Sequence, residues 1–368
     1  MTMAFYSHAR ETVEPILDLA LALDYRRRLP AIYTAIGCYY LFVEEDSHKG
    51  LLFIDKATTI AEEVADYLSL WTALFQSGWF LNLTSEFKDA HKHLKQCLDF
   101  SLLANNQMGI ASSKSGISVC YQAEGKMNLA HQFAQETMTL AQETGDAFIE
   151  GIAYCTYGVS SYYKGLLDEA KTLLLEFASS YEKSASIGWI AWAYARLGSM
   201  YIDLREYDDA VNCFKKQIST SENVSFLPST IKLFQSGLVR AKVLRHDQDI
   251  ELTELFAGYQ NNKLTLCEGW MARNIGDILL NMDDDHLSDA EVWFQKAIDA
   301  DTKNGLRWHL ATDHAFYADW FKKKGDIQGA KDQLTKAVDL FRECGADGWV
   351  TRTENTCLLY TSPSPRDS

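Results

Sequence analysis

Asp283-Asp284-Asp285, flanked by Asn281 and Asp289, puts hard oxygen ligands at the alternate positions that suit a calcium loop. The register fails for that chemistry. The sixth position counted from Asn281 is His286, where the sharp turn needs glycine, and the twelfth is Val292, where a bidentate glutamate belongs. The stretch reads as a solvated turn. Histidines offer no better metal set, because His91 and His93 lie two apart on a helix and His309 and His314 five apart, so each pair diverges. GxxxxGK[ST], GxGxxG, GxSxG and HExxH are all missing from the chain. No catalytic residue, metal or cofactor is expected.

Binding is the remaining chemistry, and the nine tryptophans are its first candidates. Most must pack between elements. Which of them face a partner depends on the repeat that positions them. A small residue recurs at Gly37, Gly78, Gly116, Gly158, Gly198, Gly237, Gly276 and Ala318, a period of roughly 40 residues. In six of these units an alanine follows, with an apolar residue four positions on: Ala90 and Leu94, Ala130 and Ala134, Ala170 and Leu174, Ala210 and Phe214, Ala290 and Phe294, Ala330 and Leu334. Spacing of i, i+4 places each pair on one helical face. A polar turn such as Lys164-Gly165-Leu166-Leu167-Asp168-Glu169 separates marker from alanine. Each unit is therefore a helix A, a turn and a helix B.

The chain is expected to be all-α, an α-solenoid of about eight such pairs, and a single unit over residues 1–355. Proline supports this, since none occurs between Pro30 and Pro228. The first unit, with Gly50 and Ala57, and the sixth, residues 227–262, which lacks the alanine signature, fit the pattern least well. The final segment, 356–368, carries Pro363 and Pro365 and departs from the repeat, and it reads as a non-native or disordered tail.

In repeats of this kind helix A presents positions six and three before, and one and four after, the marker to the concave face. That register selects Phe75, Trp79 and Asn82; Cys155 and Tyr162; Trp192 and Ser199; Arg273 and Asp277; Asp319 and Lys322. The expected site is a groove in an open superhelix, aromatic at one end and charged at the other, that binds a protein or peptide segment.

A net charge of −15 and no basic run longer than three residues argue against nucleic acid and an anionic membrane surface as partners. The eight cysteines are widely spaced, no apolar stretch is long enough to span a bilayer and no secretory leader is evident, so a cytoplasmic location is expected.

The pattern resembles the tetratricopeptide repeat. It departs from that repeat in being longer than 34 residues and in lacking the proline that closes helix B. The extra residues are expected in the loops from B to A. The segments Glu268-Gly269-Trp270-Met271, Ala297-Ile298-Asp299-Ala300-Asp301 with Asn304-Gly305 and Trp308, Phe321-Lys322-Lys323-Lys324-Gly325-Asp326, and Glu343-Cys344-Gly345-Ala346-Asp347-Gly348-Trp349-Val350 are similar to the C-terminal helical-repeat region of bacterial signalling ATPases, many of which carry a cyclase or kinase-like domain. The resemblance covers nearly all of residues 11–355. It implies a regulatory arm, cut at both ends, that binds a partner or the ATPase and cyclase domains of its own parent. The family's catalytic residues lie in domains outside this chain. A free-standing peptide-binding adaptor is the alternative, and an α/α helical-repeat enzyme a third.

Overall fold

The computed structural model describes residues 6–181, 187–222, 226–247 and 250–359. Its elements are α1 (Tyr6–Ala22), α2 (Leu29–Phe42), α3 (Ser47–Glu63), α4 (Tyr67–Leu83), α5 (Phe87–Leu103), α6 (Gln107–Ala123), α7 (Met127–Thr144), α8 (Ala147–Lys164) and α9 (Leu167–Glu176), which a π-helical turn extends over Phe177–Tyr181. The second half comprises α10 (Ile187–Asp203), α11 (Tyr207–Glu222), α12 (Pro228–Leu244), α13 (Thr253–Gln260), α14 (Thr265–Met282), α15 (Leu287–Asn304), α16 (Arg307–Lys323), α17 (Ile327–Cys344) and α18 (Asp347–Leu359). The fold is all-helical. Every marker residue lies in an A helix, α2 to α16 in even steps, and every signature alanine in the following B helix.

The link between helices has its own chemistry. A residue of positive φ recurs at 20-residue intervals through Glu45, Ala65, Ser85, Asn105, Gly125, Gly145 and Gly165, and again at Gly305, Gly325 and Gly345. It ends one helix in the left-handed conformation. The next residue opens the following helix, and at Asp46, Asp66, Asn106, Asp146 and Asp326 its side chain accepts a hydrogen bond from a first-turn N–H. At these turns the links are therefore only two to four residues long. This corrects the expectation of long B-to-A loops: the residues beyond the 34 of a tetratricopeptide repeat lengthen the helices, which reach 17 or 18 residues in α4 to α8. Alanine pays a steric cost at positive φ that glycine escapes, so Ala65→Gly at its exposed turn is expected to raise unfolding stability by about 0.5–1 kcal/mol in urea titration.

Bulky B-helix residues press onto the small A-helix markers. Phe214 lies between two of them, so that a Cβ added at Gly198 or Gly237 would stand 2.9 or 2.8 Å from its ring. Leu94 is held in the same way between Gly78 and Gly116. The sixth pair is the long α12 with a short α13 of 8 residues, and residues 248–249 between them lie outside the described residues. Arg245 ties this corner to Asp247 and Asp208, each at 2.7 Å. At the far end α18 runs to Leu359, past residue 355; residues 360–368 of the expected tail lie outside the described residues.

The superhelix is not open. Its second turn docks on its first, joining residues 145 to 187 apart in sequence. Leu227 N donates to the Phe42 carbonyl at 2.7 Å, and the buried Glu45 carboxylate accepts from Ser229 N and Oγ at 2.9 and 2.6 Å. Thr265 Oγ1 meets Ser85 Oγ at 2.8 Å, and Lys164 Nζ donates to the Gly345 carbonyl at 3.0 Å. The indoles of Trp308 and Trp349 donate to the carbonyls of Tyr163 and Tyr162 at 3.0 and 2.8 Å. At the tightest point backbone meets backbone, since a Cβ on Gly165 would lie 2.5 Å from Trp349 N. Short links and long helices fix the curvature that brings α8 against α18, and the groove becomes a lumen.

Candidate functional site

Two cavities open on the lumen, and Trp192 and Arg196 on successive turns of α10 mark their border. The first, of about 70 Å³, has walls of Phe42, Phe75, Trp79, Trp189, Trp192 and Phe234. Trp79 packs edge-on against Trp189 with ring centres 5.2 Å apart. Among these apolar walls stand two buried amides, Asn82 and Gln217. Both Asn82 amide atoms, the Gln217 carbonyl oxygen and the indole nitrogens of Trp79 and Trp192 have no protein hydrogen-bond partner. Unpaired polar groups in an apolar site cost about 1–3 kcal/mol each, so a partner for them would be stabilising here.

The second cavity, of about 200 Å³, is aromatic and charged. Arg196, Arg240, Arg273 and Arg352 line it with Asp203 and Asp319, against Tyr162, Trp270, Trp308 and Trp349. Its cations are satisfied unequally. Arg240 Nε donates to Asp277 Oδ2 at 2.6 Å. Arg273 holds Asp313 through Nη1, lies 3.8 Å from Asp301, and donates to the His309 carbonyl at 3.3 Å. Burial and the adjacent Asp313 carboxylate push the Asp301 pKa far up, and burial raises that of Asp313. Burial also raises Asp203, which accepts from the Tyr162 hydroxyl at 2.9 Å.

Of the residues selected by register, Phe75, Trp79, Asn82 and Trp192 line the first cavity, and Tyr162, Ser199, Arg273 and Asp319 line the second. Asp277 stands behind the second cavity as the partner of Arg240. Cys155 is buried under Trp189, its Sγ 3.7 Å from that carbonyl, and Lys322 is exposed and lines neither cavity. Arg196, Asp203, Gln217 and Arg240 were not selected. Gln217 belongs to a B helix, and the three others sit off the concave register, at two before, five after and three after their markers. A closed lumen exposes a wider face of each A helix than an open groove does, which is why the register undercounts it.

The histidines are dispersed in separate hydrogen bonds, His93 to Ser77 at 2.8 Å and His314 to Gln333 at 2.7 Å. Asp283 pairs with His286 at 2.6 Å and Asp284 with Lys323 at 3.0 Å, as in a solvated turn. Among the described residues no group of three acidic, histidine or cysteine side chains is placed to hold a metal ion, and no helix is long and apolar enough to cross a membrane.

A tetratricopeptide-repeat profile matches residues 193–224, which span most of α10 and all of α11. The fold is a tetratricopeptide-like solenoid. No curated protein matches the chain. Solved structures that match the chain include a Rap protein complexed with competence and sporulation factor, 11% identical over 97% of both chains with a TM-score of 0.42. The human IFIT1 dimer with PPP-AAAA is 14% identical over 92% of this chain and 89% of its own, with a TM-score of 0.40. Yeast Tom70 is 12% identical over 99% of this chain and 98% of its own, with a TM-score of 0.27.

Proposed function

We propose that the chain is a non-enzymatic interaction module whose lumen receives a polypeptide segment of a partner protein. The observation that carries this reading is the first cavity, where aromatic walls surround the unpaired amide of Asn82 and the unpaired carbonyl oxygen of Gln217. A primary amide both donates and accepts, the complement of a peptide group, and the flat aromatic walls suit an apolar side chain. Phe75, Trp79, Asn82 and Trp192 are its proposed anchors, and Tyr162, Arg273, Asp277 and Asp319 frame the charged half. Lys322 falls outside this proposal.

The resemblance of nearly all of residues 11–355 to the helical-repeat region of signalling ATPases supports a regulatory arm acting on an ATPase or cyclase, in the cytoplasm, and a free-standing adaptor would use the same lumen. The test is selection of binders from a random-peptide array, followed by titration against Trp79→Ala and Trp192→Ala. Each substitution is expected to weaken the selected peptides at least tenfold, on the order of a hot-spot residue, with helical circular dichroism unchanged. Undiminished binding would contradict the assignment, and loss of helicity would show these tryptophans to be core.

A further inference from the structure

Arg196 is 1% exposed, yet its Nε and Nη2 make no hydrogen bond and it enters no ion pair among the described residues. Its faces are covered. The guanidinium carbon lies 4.8 Å from the Tyr163 ring centre, 4.5 Å from that of Trp192 and 4.3 Å from that of Trp270. Stacking of this kind offsets only part of the cost of burying a cation. The stacked rings also leave the in-plane N–H groups unmatched, because a guanidinium donates from its edge. Burial pulls the Arg196 pKa down, and its electrostatic neighbours are Tyr163, Tyr162, Cys267 and the cation Arg273, with no carboxylate among them. Arg240 and Arg273 in the same cavity each own a carboxylate. Arg352 is exposed and donates to the Asp203 carbonyl at 3.3 Å, which leaves Arg196 as the buried exception.

We propose that Arg196 is the receptor for a carboxylate, and that the second cavity takes the acidic group of the ligand whose apolar part enters the first. The inference rests on the polypeptide reading only for the identity of the carrier, which would present either its C-terminal carboxylate or an aspartate or glutamate side chain. A monoanion matches the one buried cation that lacks a carboxylate. Phosphate, carrying up to two charges, would meet Asp203 and Asp319 in the same lining. The aromatic walls of Trp270, Trp308 and Trp349 favour a carboxylate attached to an apolar group.

The test titrates the purified protein with N-acetylphenylalanine, N-acetylphenylalanine amide, N-acetylglutamic acid α-amide and phenyl phosphate, followed by tryptophan fluorescence and calorimetry. The two carboxylates separate a chain terminus from an acidic side chain. At least one of them is expected to bind about tenfold or more tightly than the uncharged amide, the size of a charge-assisted hydrogen bond. Arg196→Met is expected to remove that preference while circular dichroism stays helical. The comparison of acid with amide in the unmodified protein needs no variant and so survives a folding defect. Failure of both acids to bind, equal binding of acid and amide, tighter binding of phenyl phosphate, or a preference that persists in folded Arg196→Met would overturn the proposal. If a carboxylate binds through Arg196 while no peptide of the array does, the anion site stands and the polypeptide reading falls.

Discussion

Arg273→Met is expected to destabilise the fold by about 3–5 kcal/mol, the cost of removing one partner from a buried ion pair. Arg273, Asp301 and Asp313 are all at or below 3% exposure, and no other basic side chain pairs with either aspartate among the described residues. The substitution leaves Asp313 charged in an apolar surround or forces it to take up a proton. The loss measured in urea should therefore be largest near neutral pH and shrink as acid protonates Asp313. The unmodified protein carries a related signature. Burial raises both aspartate pKa values above those of the unfolded chain, so over that window the folded state binds more protons and stability falls as pH rises. Asp301→Asn keeps a donor toward Asp313 without the titrating proton, and it should flatten this slope. A cost for Arg273→Met below about 1 kcal/mol at neutral pH would show the cluster to be hydrated and the cavity wall wrongly described.

Trp308→Ala is expected to cost a similar amount, about 3–5 kcal/mol, as for other fully buried aromatics. Trp308 is 3% exposed, packs edge-on to Tyr163 at 4.7 Å and to Trp349 at 5.7 Å, and donates across the seam to the Tyr163 carbonyl. In a solenoid stabilised only by nearest neighbours its removal would disturb α15, α16 and α17 and leave α8 unaffected. Here hydrogen exchange should quicken in α8 as well, because the seam joins the turns. Protection in α8 that stays at the level of the unmodified protein would contradict the docking.

The helix-pair architecture was legible because its cause is local. Gly198 and Gly237 are small since Phe214 needs the space, and that requirement repeats in every unit. The turns carried a second signal at half the period, Gly125, Gly145 and Gly165, which glycine reveals and which Glu45, Ala65 and Arg205 conceal by adopting the same positive φ without it. The seam is a contact over some 180 residues and has no local period. Its residues were nonetheless among the segments that suggested kinship, since Gly345, Asp347, Gly348 and Trp349 all touch or approach the first turn. The register picked out Phe75, Trp79 and Trp192 of the first cavity's aromatic lining. It missed Arg196, because an isolated arginine in the run Trp192-Ala193-Tyr194-Ala195-Arg196 reads as a surface residue until the lumen closes around it.

Closure of the superhelix is what turns a groove into two cavities, and a zero-length cross-link tests it most directly. Lys164 Nζ and Asp347 Oδ2 lie 3.4 Å apart across the seam, while Lys171 and Glu206, at 2.7 Å on neighbouring repeats, provide an internal control. Carbodiimide treatment of dilute monomer, followed by peptide mapping, is expected to yield both the 164–347 and the 171–206 links, with the first lost in urea. Recovery of the 171–206 link without the 164–347 link would show an open superhelix and contradict the account.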